Sequence, residues 1–134
     1  MIRLKVDFII SGESLDPAAI SQLLGLSPDE QQRRGDKHIG PSGKQYADHK
    51  VGLWLINSGL AEDGSFQDHV ESLLKRISRS SAQFADLKRR GFDVYIFVGA
   101  YISKGNGAIS LNADVMRRLS ALGIDVDFDI YSDD

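Results

Sequence analysis

The segment Val94–Ile102 limits the possible folds of this chain more than any other feature. All of its residues are apolar, aromatic or glycine, and most belong to types that favour β-strands. A strand with apolar residues on both sides belongs inside a sheet rather than at its edge. The sequence therefore predicts a β-sheet protein with this segment as a central strand.

Two other segments alternate between apolar and polar residues, which is typical of strands with one buried face. In the segment from Arg3 to Ile10 the even-numbered residues are apolar, and in residues 125–130 aspartates occupy the odd positions. Residues 51–57 alternate as well and predict a fourth strand. A short further strand is predicted at residues 108–110, after a glycine-rich turn.

The predicted helices begin at residues that can accept hydrogen bonds from free helical N–H groups: Asp16, Ser65 and Asn112. Gly25 and Gly123 are placed to end the first and the last of these helices. Each helix carries a single apolar stripe, and residues 81–90 predict a further short helix.

Strands with a polar face and helices with one apolar stripe predict an α+β two-layer sandwich, a single domain over residues 1–134. Its mostly antiparallel sheet of about four or five strands would carry the helices on one face, in a ferredoxin-like arrangement. Right-handed crossovers then place the last strand beside the first. Arg3 and Lys5 would lie opposite the aspartates of residues 125–129.

Composition argues against several classes of protein. The chain has no cysteine, which excludes disulfides and thiolate metal sites, and its formal net charge of -3 weighs against nonspecific nucleic-acid binding. No stretch approaches the length of a membrane span, and the N-terminus lacks the apolar run of a signal peptide. We therefore expect a cytoplasmic protein with neither a membrane nor a nucleic-acid partner.

Residues 27–50 form a long polar stretch that contains either a short edge strand, a hairpin or a functional loop. Asp36, Lys37, His38 and His49 lie in it and could bind a small ligand or a metal ion. Their spacing matches no known ligand signature, and solvated loop residues are the more common explanation. No metal, cofactor or catalytic residue is therefore predicted, and Asp36, Lys37 and His38 stay candidate binding residues.

Trp54 is the fourth candidate binding residue, and its orientation is ambiguous. If Val51, Leu53 and Leu55 face the helices, Trp54 lies on the open face of the sheet, where Tyr95 could join it. An aromatic patch there would favour a homodimer through the open face. If this strand faces the other way, Trp54 belongs to the core. The sequence favours the two orientations equally.

Several short motifs in this order resemble an uncharacterised bacterial family, the domain of unknown function 4279. They are Leu15-Asp16-Pro17, Leu23-Leu24-Gly25-Leu26-Ser27-Pro28, Gly35-Asp36, Trp54, Ile109-Ser110-Leu111 and Leu122-Gly123-Ile124. The resemblance spans nearly the whole chain and implies a small bacterial domain with no assigned activity. It carries over no catalytic residue.

Two functions remain open. We expect a non-catalytic binding or protein-interaction module that forms a homodimer through the open sheet face. The alternative is a small-ligand or metal-dependent enzyme that uses the loop at residues 33–50.

Overall fold

A computed structural model describes residues 1–36 and 51–132, together with the backbone of residues 38–39 and 45–46. The strands are β1 (Ile2–Gly12), β2 (Glu30–Gln32), β3 (His38–Ile39), β4 (Gln45–Tyr46), β5 (Gly52–Asn57), β6 (Asp93–Ile102) and β7 (Asp125–Ser132). The helices are α1 (Pro17–Leu24), α2 (Phe66–Ile77), α3 (Ser81–Arg89) and α4 (Ala113–Leu122). Five strands form one sheet in the order β2-β5-β1-β6-β7, and β3 pairs with β4 in a separate hairpin.

β1 lies in the middle of the large sheet and pairs antiparallel with β5 on one edge and β6 on the other. Its even-numbered residues, from Leu4 to Ile10, are at most 3% exposed. The register places Phe8 opposite Ile56 and Ile96, which are equally buried. Side chains directly opposite in such pairs share a face, so the three strands present one continuous apolar surface.

The helices cover that surface, and their predicted first residues are confirmed. Asp16, Ser65 and Asn112 each accept a hydrogen bond from a backbone N–H in the first turn, at 2.9–3.2 Å. Apolar residues of all four helices join the strands in one core cluster, among them Ile20, Leu73, Phe84 and Leu119. The α+β two-layer architecture, with helices on one face of a mostly antiparallel sheet, is confirmed.

The predicted position of the last strand is wrong. β7 pairs with β6 in parallel, and β6 separates it from β1. Arg3 and Lys5 therefore do not lie beside the aspartates of β7, and the ferredoxin-like strand order is not observed. The reason is that β5 already occupies the second edge of β1, so the chain leaving β6 through α4 returns to the free edge of β6 as a βαβ crossover.

The short strand predicted at residues 108–110 does not form, because both edges of β6 are already paired. Ile109 is instead partly buried against the core. The polar stretch at 27–50 contains the edge strand β2, which pairs with β5, and the β3–β4 hairpin. Of the alternatives for this stretch, the described residues therefore show the edge strand and the hairpin.

Trp54 belongs to the core, so the facing that placed it on the open side of the sheet is wrong. Its side chain is 0% exposed and packs edge-on against Phe8, with 6.4 Å between ring centroids. The indole N–H donates to Ser21 Oγ at 3.0 Å, which satisfies the only polar atom of the ring. Leu53 and Leu55 consequently face the open side.

We expect Trp54→Ala to lower the free energy of unfolding by about 3–5 kcal/mol, because it leaves a large cavity in the core. The control is Leu53→Ala, a truncation of the adjacent residue on the open side, which should cost about 1 kcal/mol. Urea titration followed by circular dichroism measures both. Equal losses from the two variants would contradict this assignment of the faces.

Candidate functional site

The four residues predicted to bind a ligand are not brought together where the structure describes them. Asp36 is exposed in a turn, whereas Trp54 is buried in the core. Lys37 and the side chain of His38 lie outside the described residues, as does His49. Of the candidate binding residues in the loop, only Asp36 lies within the described part of the chain, and the loop site stays a prediction.

Asp36 has a local structural role. Its Oδ2 accepts a hydrogen bond from the backbone N–H of Arg33 at 2.7 Å, and the Arg33 guanidinium contacts Asp16 Oδ1 at 2.6 Å. Because Asp16 caps α1, these contacts join the turn after β2 to the start of that helix. Among the residues that the structure describes, no three His, Cys, Asp or Glu side chains are placed to hold a metal ion.

Two buried polar groups have shifted pKa values. Burial raises the pKa of Asp7 on the open side of β1, although the hydrogen bond from Asn57 Nδ2, at 2.7 Å, opposes the shift. Burial lowers the pKa of His69 in α2, whose Nδ1 lies 2.6 Å from Ser58 Oγ. Ser58 and His69 are only 3% and 1% exposed, which favours a structural role for this pair over contact with a substrate.

A large concave surface lies between α4 and β7, on the helix side of the sheet. This groove has a volume of about 740 Å³, within the range typical of small-molecule and side-chain pockets. Its lining is mainly apolar and includes Phe66, Ile109, Leu111, Met116, Phe128 and Ile130. We call it the α4–β7 groove.

The α4–β7 groove exposes large apolar side chains to solvent. Met116 of α4 is 51% exposed, and Phe128 and Ile130 of β7 are 48% and 58% exposed. The Phe128 ring packs against Phe66 of the core, with 5.6 Å between centroids. A contiguous apolar surface of this kind marks a binding site in soluble proteins more often than a scattered exposed residue does.

β7 forms one wall of the groove and is also an edge of the sheet. Its inner edge pairs with β6, and no strand in the described part of the chain pairs with its outer edge. An unpaired edge presents backbone N–H and C=O groups that can pair with a strand of another chain. The groove therefore combines an apolar surface with a row of unpaired backbone hydrogen-bonding groups.

The two walls of the groove meet at Gly123. This residue ends α4 in the left-handed conformation, with φ +70°, and only Ile124 separates it from β7. Lys88 of α3 donates a hydrogen bond to the Gly123 carbonyl at 2.8 Å. The helix and the strand are thus fixed to one another at this corner.

The sequence alone did not reveal the groove. Alternation in residues 125–130 correctly assigns Phe128 and Ile130 to the helix side of the sheet, as their pairing opposite Val98 and Ala100 shows. That pattern predicts burial, but at an edge strand the same side chains are only half covered. One signal in the sequence was Met116, an apolar residue outside the stripe that Val115, Leu119 and Leu122 form on its helix.

A family model described as a domain of unknown function (DUF4279) matches residues 2–133, nearly the whole chain. The chain belongs to this family. Neither a curated protein nor a solved structure matches the chain significantly. The DUF4279 assignment confirms the resemblance seen in the sequence motifs and carries no activity with it. None of the helices in the described part of this DUF4279 domain is long and apolar enough to cross a membrane.

His69 should make the stability of the domain depend on pH. Because its pKa in the folded state lies below the ordinary value of 6.5, the unfolded chain binds the proton more readily. The stability contributed by the neutral imidazole is present above about pH 6.5 and is lost as the pH falls toward the lowered folded pKa.

The matched variant is His69→Gln, whose amide can still bond to Ser58 but does not titrate. Urea unfolding between about pH 5 and pH 7.5 should show a smaller loss of stability at low pH for this variant than for the natural chain. Parallel curves for the two proteins would show that His69 does not titrate differently on unfolding.

Proposed function

We propose that this domain is a protein-interaction module that binds an extended segment of a partner along the outer edge of β7. The observation that carries the proposal is the α4–β7 groove, in which half-exposed apolar side chains lie directly beside unpaired strand backbone. Backbone pairing supplies affinity in this mode of binding, and pockets for alternate side chains supply specificity.

The dimensions of β7 support the proposal. The strand has eight residues, as long as many strands that pair stably within sheets. Long, exposed edges are usually shortened, covered or interrupted in natural proteins, since they invite pairing with other chains. β7 contains no proline, and within the described residues neither a helix nor a loop is hydrogen-bonded along its outer side.

The lining of the groove suits the burial of side chains. Phe128, Ile130 and Met116 offer apolar contacts, whereas the charged lining residue Lys88 lies at the Gly123 corner. Apolar side chains of a bound strand would remove this surface from water, at about 25 cal/mol for each Å². An apolar site of this kind is suited to binding a partner segment rather than to proton-transfer chemistry.

The expectations from the sequence about partners, location and activity stay predictions beside this proposal. A homodimer through the open sheet face stays a prediction, but Trp54 no longer supports it because the ring lies in the core. A cytoplasmic location and a bacterial source also stay predictions, as does an enzyme that uses the loop at residues 33–50. The β7 edge is the surface that the described contacts favour.

Peptides selected from a random display library should bind to β7 and α4. On binding, backbone amides of β7 should become protected from hydrogen exchange, because strand addition pairs them. Ile130→Ser should weaken binding about tenfold by removing an exposed apolar contact from the groove. Calorimetry measures the affinity, and amide NMR locates the bound peptide.

The control is Leu23→Ser, which removes an exposed apolar side chain, 40% exposed, on α1. It should leave affinity unchanged. Selected peptides that leave the β7 amides unprotected, or that bind Ile130→Ser as tightly as the natural chain, would contradict the proposal.

A further inference from the structure

The structure also indicates which kind of strand the β7 edge accepts. We infer that the partner segment alternates basic and apolar residues, with its basic side chains on the open face of the sheet and its apolar side chains in the α4–β7 groove. This inference rests on the proposed function and specifies the partner of the same site.

The two sides of β7 differ in chemistry. Asp125, Asp127 and Asp129 face the open side, whereas Phe128 and Ile130 face the groove. A strand paired with the outer edge of β7 would likewise place alternate side chains on the two sides. Its side chains on the groove side would meet apolar surface, and those on the open side would lie beside the aspartates.

The aspartates have no basic neighbour in the sheet. In β6 the residues opposite Asp125, Asp127 and Asp129 are Tyr95, Phe97 and Gly99, all uncharged. Within the described residues, no Lys or Arg lies within salt-bridge distance of these three carboxylates.

Arg3 of β1 contacts residues other than the β7 aspartates. The Arg3 guanidinium lies over the Tyr101 ring, 5.6 Å from its centroid, and 3.9 Å from the carboxylate of Glu62. Because β6 lies between β1 and β7, neither Arg3 nor Lys5 is a cross-strand neighbour of the aspartates. Complementary positive charge at the β7 edge would therefore come from the bound segment.

The same charges disfavour a second copy of this chain as the occupant. Symmetric antiparallel pairing of two β7 strands would place their aspartates near one another on one face of the joined sheet. Like charges that lie opposite in a strand pair are destabilising, and charged edge residues are a common means of preventing self-association. A basic segment meets no such repulsion.

Three synthetic peptides of about ten residues test the inference: one alternates Lys with Val, one alternates Thr with Val, and one alternates Glu with Val. We expect the Lys peptide to bind at least about tenfold more tightly than the Thr peptide, with three charge pairs contributing to the difference. The Glu peptide should bind more weakly still. The advantage of the Lys peptide should shrink as salt is raised, because Asp125 and Asp127 are exposed to solvent.

The matched variants carry three substitutions each. Asp125→Asn, Asp127→Asn and Asp129→Asn together should remove the preference for the Lys peptide. Asp63→Asn, Asp68→Asn and Asp86→Asn together change the net charge equally and should retain it. Circular dichroism checks that both variants fold, and the comparison of the three peptides on the natural chain needs no variant.

The possible results separate the two claims. Protection of β7 amides by all three peptides with equal affinity would overturn the basic-partner inference and leave strand addition standing. Protection by none of them would count against both. Self-association of the natural chain with protection of β7 amides would also overturn the inference, because the edge would then accept an acidic strand.

Discussion

The fold depends on β1 being paired along both edges. β6 pairs with it from Ile2 to Ser11, and β5 pairs with its second half from Asp7 to Gly12. Because three strands then share one apolar face, every helix must pack on that face to bury its own stripe. The pairing also decides the edges of the sheet, since it leaves one edge of β5 for β2 and one edge of β6 for β7.

Glycines allow neighbouring segments to pack closely against the ends of β1 and β5. Gly12 and Gly52 lie opposite one another at the last paired position. A Cβ atom on Gly52 would lie 2.8 Å from the Leu15 carbonyl, and one on Gly12 would overlap the Phe92 ring. The turn into α1 and the residue before β6 can therefore approach the strand ends closely.

Much of the fold follows from local sequence. The caps at Asp16, Ser65 and Asn112, the glycine exits and the alternation in β1 and β7 are short-range signals, and each is found where it was predicted. The order of the strands is a long-range property. The aspartate face of β7 is equally compatible with β1 or β6 as a neighbour, so alternation could not choose between them.

The candidate site was harder to predict for the same reason. Alternation shows that Phe128 and Ile130 point away from the aspartates, but not that the layer of helices stops short of covering them. β2 and the β3–β4 hairpin contain only three and two residues per strand, too few for a periodic signal. Trp54 sits in a strand that is apolar on both sides, which leaves its facing open.

The corner at Gly123 restricts how the groove could change shape. α4 and β7 are consecutive in the chain and share this fixed point, where the Lys88 bond further anchors the carbonyl. A movement of β7 away from α4 would pivot about that corner. Any widening would therefore be smallest beside Ile124 and greatest toward Ile130, so bulky side chains would be admitted more readily near the C-terminal end of β7 than near its start.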